Sequence, residues 1–286
     1  MFKLFFENTA NGKTVNINDG INYEVLEFEG FNPPSASLFT SKSPNRKGSK
    51  KNGSTLDERN LLIQIKLLGD IEANRNALYE WTDTETELKV YYENGVKNIY
   101  CVGTVTDCEV PLCTDNEIIT VAITCPDPYL KDLQEIVAEV SNLLKQFTFP
   151  VAIEPAGKPF STIREDNKTN IYNAGAETGA IIRVKALGEV SNISIYDAND
   201  ATKIFSINLT LQQNEIVEID TEHSPRTVKL IRTDGTVVNI LKHIGHNPTW
   251  FQLKKGNNLF GFSTNPVAGL VNVEVTFEFT NKYLGA

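Results

Sequence analysis

A mainly β chain of two antiparallel domains, joined by one helix, is what this sequence predicts. Short runs rich in β-branched and aromatic residues alternate apolar with polar positions over most of its 286 residues. Turn dipeptides such as Asn94-Gly95 and Asp234-Gly235 separate several of these runs. One segment differs: Leu130, Leu133, Ile136, Val137, Val140, Leu143, Leu144 and Phe147 recur at helical steps of three and four within residues 129–149.

Composition bounds the function. The chain is long enough for two ordinary domains, each with a real core. A net charge of −9 and a pI near 5.0 argue against tight binding to nucleic-acid phosphates. An acidic surface instead lets a polyanion pass without sticking. The start, Met1-Phe2-Lys3-Leu4-Phe5-Phe6-Glu7, lacks the pattern of a signal peptide. No run reaches the roughly 18 apolar residues of a membrane span, so a soluble protein folding in a cytoplasm is expected. Cys101, Cys108, Cys113 and Cys125 fit neither a metal-binding pair nor a secreted disulfide framework. Free thiols are the expectation.

In chain order, residues 3–6 and 25–29 are predicted strands, and Phe31-Asn32-Pro33-Pro34 must run extended. Residues 41–54 then carry five basic side chains, Lys42, Arg46, Lys47, Lys50 and Lys51, with no acid and nothing apolar for a core. Two readings follow: a solvated loop, or a projecting arm that orders against an acidic neighbour. Leu61, Ile63, Ile65 and Leu67 mark a strand, and Asp70 is placed to cap a helix through Ile71, Leu78 and Trp81. Residues 88–92 and 99–105 flank Asn94-Gly95 as a hairpin, and Ile119, Val121, Ile123 and Cys125 alternate again. At the joint, Asp127 is the expected N-cap and Pro128 the first residue of the linking helix, which Tyr129 continues and Pro150 closes. The predicted division is 1–128, a helix over 129–149, and 150–286.

The second domain is predicted as a β-sandwich, with strands at 181–187, 193–196, 204–209, 216–219, 228–232, 237–240, 250–253, 259–262 and 271–280. In the last, Val271, Val273, Val275, Phe277 and Phe279 form the dry face. Trp250, Phe277 and Phe279 are candidate core residues of this sandwich.

Catalytic signatures are scarce. Gly12-Lys13-Thr14 lacks the upstream glycine of a phosphate-binding loop, since Glu7 stands there. His243 and His246 flank Gly245, which spoils the helix that a paired zinc site would favour. No catalytic residue, metal site or cofactor is expected. Trp250 could stack on a sugar ring, but it adjoins Phe251 in a predicted strand, so at most one of them faces outward. A carbohydrate-binding adhesion module is the alternative to the reading that follows.

The string Leu211-Gln212-Gln213-Asn214-Glu215-Ile216-Val217-Glu218-Ile219-Asp220-Thr221 is followed by Val228-Lys229-Leu230 and Asp234-Gly235-Thr236. Then come Thr249-Trp250-Phe251-Gln252-Leu253, Lys255-Gly256-Asn257-Asn258, and Phe277 through Lys282-Tyr283. Together these resemble the C-terminal domain of the siphophage distal tail proteins. Arg59, Gly103 and Asp127-Pro128-Tyr129 fit the same family in the first half. The resemblance implies a structural protein rather than an enzyme. It implies a homohexameric ring on the tail tube around a DNA-conducting channel, with DNA passing non-specifically and no membrane contact. A belt-like hairpin, at about residues 40–56, would reach the neighbouring subunit. A galectin-like sandwich would face outward, where receptor-binding or other baseplate proteins dock, with the tail tube and tail-associated hub proteins as further partners. The implied location is the tail tip of the virion, after assembly in the host cytoplasm.

Overall fold

The computed structural model describes residues 2–44, 47–110, 117–140, 143–145, 161–163, 168–222 and 226–286, with backbone alone at 143–145 and 161–163. The chain divides into two units, residues 1–133 with 282–286, and residues 134–281.

The first unit holds strands β1 (Lys3–Asn8), β2 (Thr14–Asn16), β3 (Tyr23–Glu29), β4 (Ala36–Ser41), β5 (Lys50–Leu56) and β6 (Arg59–Leu67). Helix α1 (Ile71–Thr82) follows, then β7 (Glu87–Glu93), β8 (Asn98–Glu109) and β9 (Ile118–Cys125). Seven of these strands pair antiparallel in the order β2-β1-β7-β8-β9-β6-β3. The two-residue period turns Leu61, Ile63, Ile65 and Leu67 of β6 inward beside Ile119, Val121, Ile123 and Cys125 of β9. Asp70 caps α1 by accepting the Ala73 N–H at 3.1 Å, and Leu78 enters the core. Arg75 Nε donates to Glu117 at 2.7 Å, tying α1 to the residue before β9. At the β7–β8 turn Gly95 adopts φ +82°, which its lack of a side chain permits.

The linking helix expected over residues 129–149 is overturned: Leu130–Val140 is a strand, β10, and Leu143–Lys145 is another, β11. The other residues of 141–149 lie outside the described ones. The helical stripe was real but ambiguous. Ile136, Ala138 and Val140 also alternate, and these three pack on the core of the second unit while Val137 is 61% exposed. At its start β10 pairs with β8, Lys131 opposite Tyr100 and Asp132 opposite Ile99. Pairing satisfies backbone groups of both strands, and β-branched Ile136, Val137 and Val140 suit the extended form.

In the second unit β11 pairs with β12 (Ser161–Ile163). There follow β13 (Lys168–Asn173), β14 (Ile181–Ala186), β15 (Val190–Asp197), β16 (Asp200–Leu211) and β17 (Ile216–Asp220). The last are β18 (Thr227–Ile231), β19 (Val237–Asn239), β20 (Gly256–Thr264) and β21 (Val273–Tyr283). One sheet runs β19-β18-β17-β14-β21 and the other β13-β20-β15-β16, all antiparallel. Phe277 of the first sheet stacks on Phe260 of the second at 4.9 Å, so the two share one core. Residues 250–253 are not the expected strand; Leu253 makes a single bridge to Thr178. Asn258 substitutes for a ladder next to it: its amide accepts from Lys254 N and donates to the carbonyls of Lys254 and Gly256 at 2.8–3.0 Å. Val271 also leaves the last strand, lying in a 3-10 turn over Val267–Asn272.

Candidate functional site: an exposed arm and the clamp at its root

Among the described residues, strands β4 and β5 pair only with each other, from Ala36 opposite Leu56 to Ser41 opposite Lys50. The hairpin thus starts earlier than residue 40. Every residue of β4 is exposed, including Leu38 and Phe39 at 60% and 56%. Of β5 only Gly53 and Leu56 are half-covered. Lys42, Lys47, Lys50 and Lys51 are exposed at and near the tip and, among the described residues, have no ion-pair partner; Arg46 lies outside the described residues. A two-stranded hairpin is marginal in water by itself. This one leaves a large apolar side chain open on each face, since successive residues of a strand point to opposite sides.

The root is built differently. Asp57 receives the hydroxyls of Ser35 at 3.0 Å and Ser37 at 2.7 Å, and its N–H donates to the Ser35 carbonyl. Arg59, two residues further, is 1% exposed. Its Nη1 donates to the carbonyls of Gly30 and of Asn32, the latter at 2.8 Å; Nε donates to Pro128 O at 2.9 Å and Nη2 to Leu284 O at 2.8 Å. One guanidinium therefore fastens the chain leaving for the arm, the joint and the C-terminal tail. Burial pulls its pKa below the ordinary arginine value. Gly30 sits at φ +93°, where a Cβ would lie 2.2 Å from the Asn60 carbonyl oxygen, so only glycine fits. Phe28, Phe31, Tyr92 and Phe2 pack ring against ring beneath this point, with centroids 5.1–6.2 Å apart.

The joint residues converge here. Asp127 accepts the Tyr129 N–H at 3.2 Å and pairs with Lys131 at 2.9 Å, so it caps a turn rather than a helix. Pro128 contributes its carbonyl to Arg59, and Lys282 Nζ lies 5.8 Å from the Tyr129 ring centre. The tail is held further by Lys97 on the Gly285 carbonyl at 3.1 Å and by Ala286 N–H on the Phe31 carbonyl at 2.9 Å.

In the sandwich, Phe277 and Phe279 are buried, while Trp250 is half-buried. The Trp250 ring packs edge to face with Phe205 at 5.3 Å and carries the Arg226 guanidinium 5.5 Å from its centre. A cleft of about 580 Å³ lies beside it, where Lys203 holds Asp200 at 3.1 Å and Asp197 at 3.7 Å. Hydrogen bonding to Thr202 and Lys203 lowers Asp200 to about 2.

Cys101, Cys108 and Cys125 are free thiols; Cys113 lies outside the described residues. A hydrogen bond between Cys101 and Cys125 raises the Cys101 thiol well above its ordinary value and lowers Cys125, while burial raises both. In the sequence Arg59 is marked only by its fit to the family, just ahead of the Leu61–Leu67 strand. An arginine opening an otherwise apolar run was the one available signal, and its four acceptors are backbone carbonyls that leave no trace in composition.

Residues 173–283 match the family described as the siphovirus-type tail component, C-terminal domain. No curated protein sequence matches the chain. Among solved structures it is similar to the Dit (gp 19.1) protein of phage SPP1, a hub adsorption apparatus protein of phages infecting Gram-positive hosts. The TM-score is 0.70 at 14% identity, over 99% of each chain. It is also similar to a chain of the phage P2 baseplate in its activated conformation with calcium, and in that with strontium. Both give a TM-score of 0.51 at 9% identity over 100% of each chain.

Proposed function

We propose that this chain, whose residues 173–283 match the siphovirus-type tail component C-terminal domain, is the structural hub of a phage tail tip. The observation that carries this is the likeness to the SPP1 hub protein from end to end, which leaves neither unit of this chain without a counterpart. The first unit forms a hexameric ring around the DNA channel, and the β4–β5 arm with Lys42, Arg46, Lys47, Lys50 and Lys51 reaches the next subunit. A hairpin with both faces open is suited to that task, because a partner supplies the burial it lacks. Asp127, Pro128 and Tyr129 set where the second unit begins. The sandwich, with Phe277 and Phe279 in its core and Trp250 at its margin, is the galectin-like platform for receptor-binding or other baseplate proteins. The ring faces the tail tube on one side and a tail-associated hub protein on the other.

The role is scaffolding, not turnover, and the protein works in the virion after assembly in the host cytoplasm. Its acidic balance suits a lumen through which DNA moves without sticking. Light scattering with negative-stain imaging tests the reading. Six subunits around a central hole are expected; a closed two-fold dimer or a particle without a hole would overturn it.

A further inference from the structure

We infer that the cleft beside Trp250 in the second unit is a binding site for a neutral saccharide. The inference adds a ligand to the hub and does not rest on the ring. At about 580 Å³ the cleft lies within the range of small-ligand pockets. Its walls are fastened turns. One is the turn between β15 and β16, where Asp197 accepts the Asn199 N–H at 2.9 Å and Asp200 accepts the Thr202 hydroxyl at 2.6 Å. The other is the turn before β20, which the Asn258 amide holds through Lys254 and Gly256. The Ala198 N–H donates to the Leu259 carbonyl at 2.8 Å and ties the two turns together. A cleft held in this way has its shape before a ligand arrives, which lowers the cost of binding.

The lining decides the chemistry. Its charged side chains are Glu177, Asp197 and Asp200 against Lys203, Lys254 and Lys255, three of each sign, in a chain whose net charge is −9. A local balance of zero selects neither an anion nor a cation. Lys203 Nζ lies 3.1 Å from Asp200 and 3.7 Å from Asp197, so a cation of the chain itself already fills the place between these carboxylates. Carboxylate oxygens accept from hydroxyl groups, while ammonium and amide groups donate to them. The cleft therefore offers both kinds of partner that a sugar hydroxyl needs. Trp250, half-buried, also lines it and gives the C–H groups of a sugar ring an aromatic surface to pack on.

The test is saturation-transfer NMR observed on the sugar, which works on single chains and on rings alike. The full chain is titrated with glucose, galactose, mannose and N-acetylglucosamine, with glucuronate and glucosamine as charged controls. Saturable transfer to at least one neutral sugar, in the millimolar range, is expected. Asn199→Ala with Lys255→Ala, both exposed positions, should weaken it about tenfold through lost hydrogen bonds. Lys203→Gln leaves the two aspartates without their counter-charge, so preference should move toward glucosamine by about tenfold. Absent transfer, binding unaltered in the double variant, an unmoved preference in Lys203→Gln, or tighter binding of glucuronate than of glucose would each overturn the inference. Light scattering on the same samples reads the ring separately. A ring without sugar binding overturns only this inference, and sugar binding without a ring overturns only the hub reading.

Discussion

Arg59 and Leu284 are 225 residues apart in sequence, yet Arg59 Nη2 donates to the Leu284 carbonyl at 2.8 Å. Because the same guanidinium also serves Gly30, Asn32 and Pro128, truncating it strands four acceptors in a dry site. Arg59→Met keeps much of the volume but supplies no donor. It should cost about 3–5 kcal/mol of stability, as breaking a buried charged network does. Arg59→Lys keeps the charge but not the planar fork, and should recover only part of this. Urea unfolding followed by tryptophan and tyrosine fluorescence measures both; a loss under about 1 kcal/mol for Arg59→Met would contradict the clamp.

Gly103 gives a second test of packing in the same unit. A Cβ there would lie 2.6 Å from Cys125 Sγ and 2.8 Å from both Ile123 Cγ2 and the Thr124 carbonyl oxygen. Gly103→Ala should therefore destabilise by about 1–3 kcal/mol through overpacking. Gly53→Ala in the arm meets only Phe39, at an ordinary 3.6 Å, and should stay within about 0.5 kcal/mol. Equal costs at the two sites would be inconsistent with the arm standing clear of the core.

Assembly through the exposed lysines of the arm should be sensitive to salt. The screening length falls from about 10 Å at 0.1 M to about 3 Å at 1 M, so weight-average mass should drop across that range at fixed protein concentration. An unchanged mass would assign the contact to the exposed apolar residues of the arm, Leu38 and Phe39, instead.

Asp200 supplies a pH prediction. Its pKa is lowered to about 2, first by the Thr202 hydroxyl and then by Lys203. A carboxylate depressed on folding contributes stability that is present above its unfolded value and lost as pH falls through the folded one. The contribution should therefore fade between about pH 4 and pH 2. A carboxyl carbon-13 titration should place its midpoint near 2. Thr202→Val should move the midpoint upward; no movement would remove the hydroxyl as the leading cause.

The strands were legible because their signal is local. Val273, Val275, Phe277 and Phe279 alternate in sequence and are all buried in β21. Asp70 was legible as a cap for the same reason, its acceptor lying three residues away. The arm's charges were visible in the residues, but its hairpin form came only from the family resemblance: Ser41 to Ser54 contains no alternation, and the pairing depends on Ala36 to Phe39 meeting Gly53 to Leu56. Arg59 was the hardest, since backbone carbonyls from distant segments are invisible to any pattern of side chains.

The segment from Leu130 to Val140 was misread because two periods coexist in it, and substitution can separate them. Val137 is 61% exposed in β10, so changes there test backbone preference with little loss of packing. Val137→Thr keeps the β-branch and should leave stability within about 0.5 kcal/mol. Val137→Ala favours a helix by roughly 0.5 kcal/mol over valine, yet should destabilise this chain by a similar amount. Thermal melts of the two variants decide it: an alanine variant more stable than the threonine one would mean the segment is helical in solution after all.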